Sequence, residues 1–236
     1  MRSQQTNIIS FQNVGLTFRG NTRLFSNINL NIREGDFYFL TGLSGAGKST
    51  LLKLIYMGIA PTDGSVSLFG EDPKQMTSRD LPRLRRKMGI IFQDFRLLPH
   101  LTALENVALP LKVRGIDQQK ATGQAQDLLA WVGLEHVMNQ YPATLSGGQQ
   151  QRVAITRSIM GRPALLLADE PTGNVDEEAA EKIMHLFEEL HKTGTTIVLA
   201  THNRSLAKEF NHPEIFLKKG QAFLLNKKPR SQEGGI

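Results

Sequence analysis

The sequence predicts an α/β fold with a parallel-sheet core, an N-terminal antiparallel β subdomain and a helical subdomain. Three observations predict it. First, Gly42-Leu43-Ser44-Gly45-Ala46-Gly47-Lys48-Ser49 joins an apolar stretch, Asp36-Phe37-Tyr38-Phe39-Leu40, to a helix-forming one, Thr50-Leu51-Leu52-Lys53-Leu54-Ile55. Second, Ala164-Leu165-Leu166-Leu167-Ala168 and Thr196-Ile197-Val198-Leu199-Ala200 are apolar runs without alternation, as central parallel strands covered on both faces require. Third, residues 8–18, 24–32 and 64–68 carry strand signals while residues 94–160 read as mostly helical.

The elements follow in order. Residues 8–18, 24–32 and 64–68 form the expected antiparallel sheet, with a turn at Pro61-Thr62-Asp63-Gly64. The strand at 36–40 opens the parallel core, which continues at 88–92 and in the two apolar runs above. Helices are expected over 102–114 and 117–132, and a third after Leu145-Ser146-Gly147-Gly148-Gln149. Ser146 is a natural N-cap there, and Val153, Ala154 and Ile159 supply a buried stripe. No internal repeat is evident.

The glycine-rich turn fits G-x-x-x-x-G-K-[ST] at every position and has the strand and helix that the pattern requires. A triphosphate needs many donors around one small charged object. Side chains are too bulky to supply them all, so backbone N–H groups must turn inward. Gly42, Gly45 and Gly47 permit that approach, with Ser44, Ala46 and Thr50 completing the cradle. The helix behind it points its positive end at the phosphates. Lys48 adds a point charge for the β- and γ-phosphates, and the Ser49 hydroxyl is a magnesium ligand. The expected ligand is a nucleoside triphosphate with Mg2+.

An acid at the end of a second apolar strand should hold the metal. Asp169 closes the run beginning at Ala164, and Glu170 follows, placed to deprotonate or polarise water. The Ser146 loop offers another helix N-terminus to an anion, but without a lysine or metal-binding residues beside it. One chain therefore carries two anion-seeking helix ends and only one complete set of chemistry. A head-to-tail pair, each copy closing the other's nucleotide, is the economical solution.

The remaining features bound the class. The chain has 236 residues, no cysteine and a net charge of +6. Disulfide and thiolate chemistry are excluded. No apolar run approaches the ~20 residues needed to cross a bilayer, and the polar Met1-Arg2-Ser3-Gln4-Gln5-Thr6 does not read as a signal peptide. The basic clusters, Arg79 to Lys87 and Lys218 to Arg230, lack interleaved aromatics and match no nucleic-acid module, so no nucleic acid is expected as partner.

The phosphate loop, Leu-Ser-Gly-Gly-Gln at 145–149, Leu-Leu-Leu-Ala-Asp-Glu at 165–170 and a later histidine, in this order, resemble the ATPase subunits of ABC transporters. The resemblance implies a P-loop NTPase with a RecA-like core. It implies one nucleotide-binding domain over 1–225, with the helical subdomain inserted at about 94–160 and a polar tail at 226–236. It makes Ser146, Gly147, Gly148 and Gln149 the signature loop and Gln93 the glutamine that senses metal and membrane partner. It makes Gly173-Asn174-Val175-Asp176 the loop across the dimer seam, with Asp176 at the nucleotide. His202 becomes the switch histidine and Phe18 the aromatic that stacks on adenine, with Phe11 and Phe25 as competitors. Cofactors are ATP and Mg2+, and ATP binding joins a homodimer.

The stretch 171–176 is similar to a subgroup that works on the bacterial envelope, and 84–98 most resembles its cell-division, FtsE-type branch. That resemblance implies an FtsX-like integral membrane subunit and a peripheral place on the cytoplasmic face of the inner membrane, reached through that subunit. It also implies a groove beside Gln93, lined by Phe95 and Leu97, that grips the partner. A lipoprotein-release, efflux or solute-import transporter, and a soluble ATPase acting on ribosomes or DNA, stay open as alternatives.

Overall fold

Strict alternation builds the first layer. The computed structural model describes residues 6–18, 20–77, 79–173 and 175–225. Asn174 and the tail expected at 226–236 lie outside the described residues. In β1 (Asn7–Thr17) and β2 (Arg23–Arg33) the chain runs out and back; along β2, Ile28, Leu30 and Ile32 are buried while Asn27, Asn29 and Asn31 are exposed. A half-buried sheet takes this pattern. With β4 (Asp63–Leu68) these strands form an antiparallel sheet in the order β2-β1-β4.

The second sheet is six-stranded. It comprises β3 (Phe37–Gly42), β5 (Met88–Ile91), β6 (Leu165–Asp169), β7 (Thr196–Ala200), β8 (Glu214–Lys218) and β9 (Gln221–Leu225), in the order β5-β6-β7-β3-β8-β9. All neighbours are parallel except β8 and β9. Both faces are covered, and alternate residues go to opposite cores. Leu165, Leu167, Val198 and Leu40 pack with Leu51, Leu54 and Ile55 of α1 (Lys48–Ile55) and with the antiparallel sheet. Leu166, Ala168, Ile197, Leu199, Phe37 and Phe39 pack with Ile183, Met184 and Phe187 of α6 (Glu177–Lys192). The continuous apolar runs of the sequence reflect this two-sided burial.

Between β4 and β5 stands α2 (Leu81–Arg85), a short helix that the sequence did not announce. Residues 92–160 carry α3 (Ala103–Val113), α4 (Gln118–Trp131) and α5 (Gly147–Ile159). α3 starts at a capping box in which Thr102 accepts from the Glu105 amide and Glu105 reaches back. Ala103, Val107, Ala125, Leu129, Leu134 and Val153 make a separate small core for this lobe. α5 serves two cores: Val153 faces the helical lobe, whereas Ile155 and Ile159 pack under the parallel sheet. α4 ends on the chain's one tryptophan, Trp131, which is 65% exposed between two clefts that separate the lobe from α6.

The hairpin β8–β9 was also not foreseen. Its two-residue turn has Lys219 at φ 48° and Gly220 at φ 74°, the left-handed pair that matches strand twist. Gly220 O then accepts from Ser26 N at 3.0 Å, tying the two sheets together. A final helix, α7 (Arg204–Phe210), follows β7. Among the described residues no helix is long and apolar enough to cross a membrane.

Phe187 is fully buried beneath the parallel sheet. Phe187→Ala should therefore cost about 3–5 kcal/mol, read as a lower urea midpoint with unchanged slope.

Candidate functional site

Four strands of the parallel sheet deliver chemistry at one edge. The carboxyl ends of β5, β6, β7 and β3 carry Gln93, Asp169 with Glu170, His202 and the glycine-rich loop respectively. Open α/β sheets bind ligands at this edge.

The loop needs glycine for two separate reasons. Gly47 caps α1 at φ 100°, and a Cβ there would lie 2.8 Å from Phe25 Cζ. Gly42 sits at φ 149°, where a Cβ would lie 2.7 Å from Leu217 O. Neither backbone nor space admits a side chain. α1 begins immediately, so its free N–H groups face the loop. The Lys48 ammonium donates to Gly42 O at 3.3 Å and stands 3.9 Å from Glu170 Oε1.

Glu170 takes φ 50°, a left-handed conformation that a non-glycine residue holds only under constraint. Its N–H donates to Ala200 O at 2.9 Å, extending the ladder between β6 and β7 by one step. Its carboxylate accepts from the His202 backbone N–H at 3.3 Å and lies 2.8 Å from His202 Nδ1. The histidine side chain is 72% exposed, whereas the Glu170 side chain is 14% exposed. A mostly buried carboxylate is thus oriented by a ring that reaches solvent.

One cavity of about 730 Å³ is lined by Phe18, Ser44, Gly45, Gly47, Lys48, Ser49, Thr50, Gln93, Glu170, Gly173 and His202. A second, of about 480 Å³, is lined by Ser49, Gln93 and Asp169 together with Tyr56, Phe92 and Arg96. Ser49 and Gln93 border both. Burial raises the Asp169 carboxyl above its ordinary range; Glu170 adds to this, while the Ser49 hydroxyl bond and Lys48 oppose it. Asp169 Oδ1 is buried with no hydrogen-bond partner. A carboxylate with an unsatisfied oxygen, a hydroxyl and an amide around one space form a hard oxygen set, which fits Mg2+.

Phe18 is 48% exposed on the larger cavity, while Phe11 and Phe25 are core residues, 2% and 0% exposed. Ala46 turns the loop, its N–H donating to Leu43 O at 3.0 Å. Ser146, Gly147, Gly148 and Gln149 line neither cavity. They open α5 through a capping box, Gln149 N to Ser146 Oγ at 3.3 Å and Ser146 N to Gln149 Oε1 at 2.9 Å. Asp176 also stands outside both cavities; it caps α6 by accepting from Ala179 N at 2.8 Å.

The groove beside Gln93 differs from its expected form. Asp94, Arg96, Phe92 and Tyr56 line it, not Phe95 and Leu97. Phe95 and Arg96 both adopt left-handed backbone, at φ 57° and 49°, which turns the chain so that Leu97 packs on the helical-lobe core. The Arg96 guanidinium stacks over the Phe92 ring at 4.1 Å, and Tyr56 meets Phe92 edge-on. Sequence reasoning missed Tyr56, which has no motif around it. It also missed Gln151 and Arg157, whose partners are distant in sequence.

Residues 25–173 match the ABC transporter family. The chain belongs to it. It is similar to the cell division ATP-binding protein FtsE of Escherichia coli K12, at 40% identity over 90% of this chain and 96% of that one. Similarity to FtsE of Haemophilus influenzae is 42%, covering 90% and 98%; to that of Bacillus subtilis it is 38%, covering 90% and 93%. Among solved structures it resembles the dimeric MJ0796, a bacterial ABC transporter cassette, with TM-score 0.88, 38% identity and 94% and 99% of the two chains covered. A dimeric post-hydrolysis state of the same cassette, bound to ADP and Pi, superposes with TM-score 0.87. This ABC protein is an FtsE-like ATPase with a cassette fold.

Asp169 carries an unfavourable buried charge, so function and stability oppose each other there. Asp169→Asn should raise the thermal midpoint, while ATP hydrolysis collapses.

Proposed function

We propose that the chain is the ATP-hydrolysing subunit of an FtsE–FtsX-like inner-membrane complex that acts in bacterial cell division. The observation that carries the ATPase part is Glu170, held by His202 and facing Lys48 across the phosphate-loop cavity. The cell-division part rests on similarity to FtsE proteins of several bacteria across nearly the whole chain. On this reading the output is a conformational signal across the membrane that activates cell-wall hydrolases, and the chain sits on the cytoplasmic face through its membrane partner.

The residues divide the work. Backbone N–H groups of 44–49 and the α1 N-terminus cradle the triphosphate, and Phe18 stacks on the base. Lys48 exchanges its carbonyl and carboxylate contacts for the β- and γ-phosphates. Glu170 accepts a proton from water as the water oxygen attacks the γ-phosphorus and the bond to the bridging oxygen breaks. His202 keeps Glu170 aimed and supplies a donor to the γ-phosphate. Ser49, Gln93 and Asp169 would hold Mg2+, which neutralises charge on the phosphate oxygens.

The Ser146 loop presents a capped helix N-terminus but lies away from its own chain's cavity. It serves the nucleotide of a second copy, with Asp176 near the seam between them. Closure of that pair moves the helical lobe, and the groove at Tyr56, Phe92 and Arg96 passes the movement to the membrane subunit.

Glu170→Gln should lower kcat by about 10²–10⁴-fold with ATP affinity retained, and ATP should trap it as a dimer on size-exclusion chromatography. A parental turnover rate in that variant would assign the proton to another group. Lys48→Ala should instead lose affinity, measured by calorimetry with a non-hydrolysable nucleotide; unchanged binding contradicts the phosphate-loop assignment. Co-purification of a solute permease in place of an FtsX-like protein would move the chain to the transport class.

A further inference from the structure

The signature helix α5 is bound to the segment leaving Gln93 by a guanidinium clamp that the catalytic scheme does not use. Arg157 sits near the C-terminus of α5 and donates from Nη2 to Phe95 O at 2.9 Å and from Nη1 to Arg96 O at 2.7 Å. Its Nη1 also lies 3.4 Å from Asn106 Oδ1. Burial disfavours the charge of this guanidinium, so the carbonyls it meets compensate a real desolvation cost.

The geometry around the clamp is constrained from both sides. Phe95 and Arg96 are successive left-handed residues, a conformation that persists only where surroundings hold it. Asn106 is fully buried and binds the same segment further on: Oδ1 accepts from Leu98 N at 2.8 Å, and Nδ2 donates to Leu98 O and Leu101 O, both at 3.1 Å. Residues 95–101 are therefore fastened to α5 and α3. They are joined to the catalytic sheet through Gln93 and Asp94, whose side chains line the metal-facing cavity. The opposite end of α5 begins at Ser146. A second bond from the same helix, Gln151 Nε2 to Pro171 O, reaches the loop just after Glu170.

We propose that Arg157 is a positioning residue that makes the segment after Gln93 and the signature helix one rigid body, so that each ATP site's state is passed to the loop closing the other. A guanidinium suits this task because its planar fork satisfies two carbonyls at once, whereas an ammonium is a point donor. The inference rests on the reading that the Ser146 loop closes a second copy's nucleotide.

The test uses the full chain in the Glu170→Gln background, carrying Arg157→Lys or Arg157→Gln. Affinity for ATP with Mg2+ is measured by calorimetry on the monomer, and dimerisation by size-exclusion chromatography across ATP concentrations. A misplaced loop forfeits productive geometry, so the ATP concentration for half-maximal dimerisation should rise about tenfold or more while monomer affinity stays within about twofold. Amide exchange at 95–98 should quicken without change in α1. Parental dimerisation in both variants overturns the proposal. A parallel fall in ATP affinity and dimerisation also overturns it, because Arg157 is then a general support of the fold. Failure of Glu170→Gln alone to dimerise refutes the underlying reading of the signature loop, a result distinct from either.

Discussion

Covering both faces of the parallel sheet is the constraint on which the rest depends. With helices and a second sheet occupying the two faces, the side chains of the central strands β3, β6 and β7 are buried nearly throughout. Only the strand ends remain, and parallel strands put all their carboxyl ends along one edge. Gln93, Glu170, His202 and the glycine-rich loop meet there although they are spread over more than half the chain. The burial that stabilises the core thus also assembles the site. Hydrophobic patterning and catalytic geometry are two results of one arrangement.

At that edge, charge is managed by neighbours more than by solvent. Asp169 is kept where its charge is costly, and the Ser49 hydroxyl and Lys48 offset part of that cost. Glu170 is turned into a left-handed backbone and held by His202 from the adjoining strand end. Such placements store unfavourable free energy in the protein, and the compensation comes from the large apolar clusters beneath. The phosphate loop follows the same logic in its backbone, where Gly42 and Gly47 sit against atoms that exclude any side chain.

What could be read in the sequence was whatever local chemistry dictates. The phosphate-loop spacing is set by a ligand, the capping residues by exposed helix amides, and the runs at 165–168 and 196–200 by two-sided burial, so each is visible in a short window. The β8–β9 hairpin escaped because Glu214 to Leu225 combines a short apolar strand with a Lys219-Gly220 turn that resembles surface sequence. Phe18 could be separated from Phe11 and Phe25 only by exposure, which tertiary packing decides. The groove beside Gln93 has other walls than the sequence suggests, because left-handed backbone at Phe95 and Arg96 redirects the chain after Gln93. Arg157 and Gln151 find their partners 62 and 20 positions away, beyond the reach of any local pattern.

Trp131 has a consequence of a different kind. It stands at the end of α4 between clefts of about 340 and 810 Å³, with α6 on the far wall. Its indole reaches water now, and any swing of the lobe against α6 must change that hydration. Indole emission depends on the polarity around the ring, and the sequence contains no second indole to obscure it. The unlabelled molecule therefore carries a built-in optical gauge of any movement between the helical lobe and α6, read by colour and intensity in a cuvette.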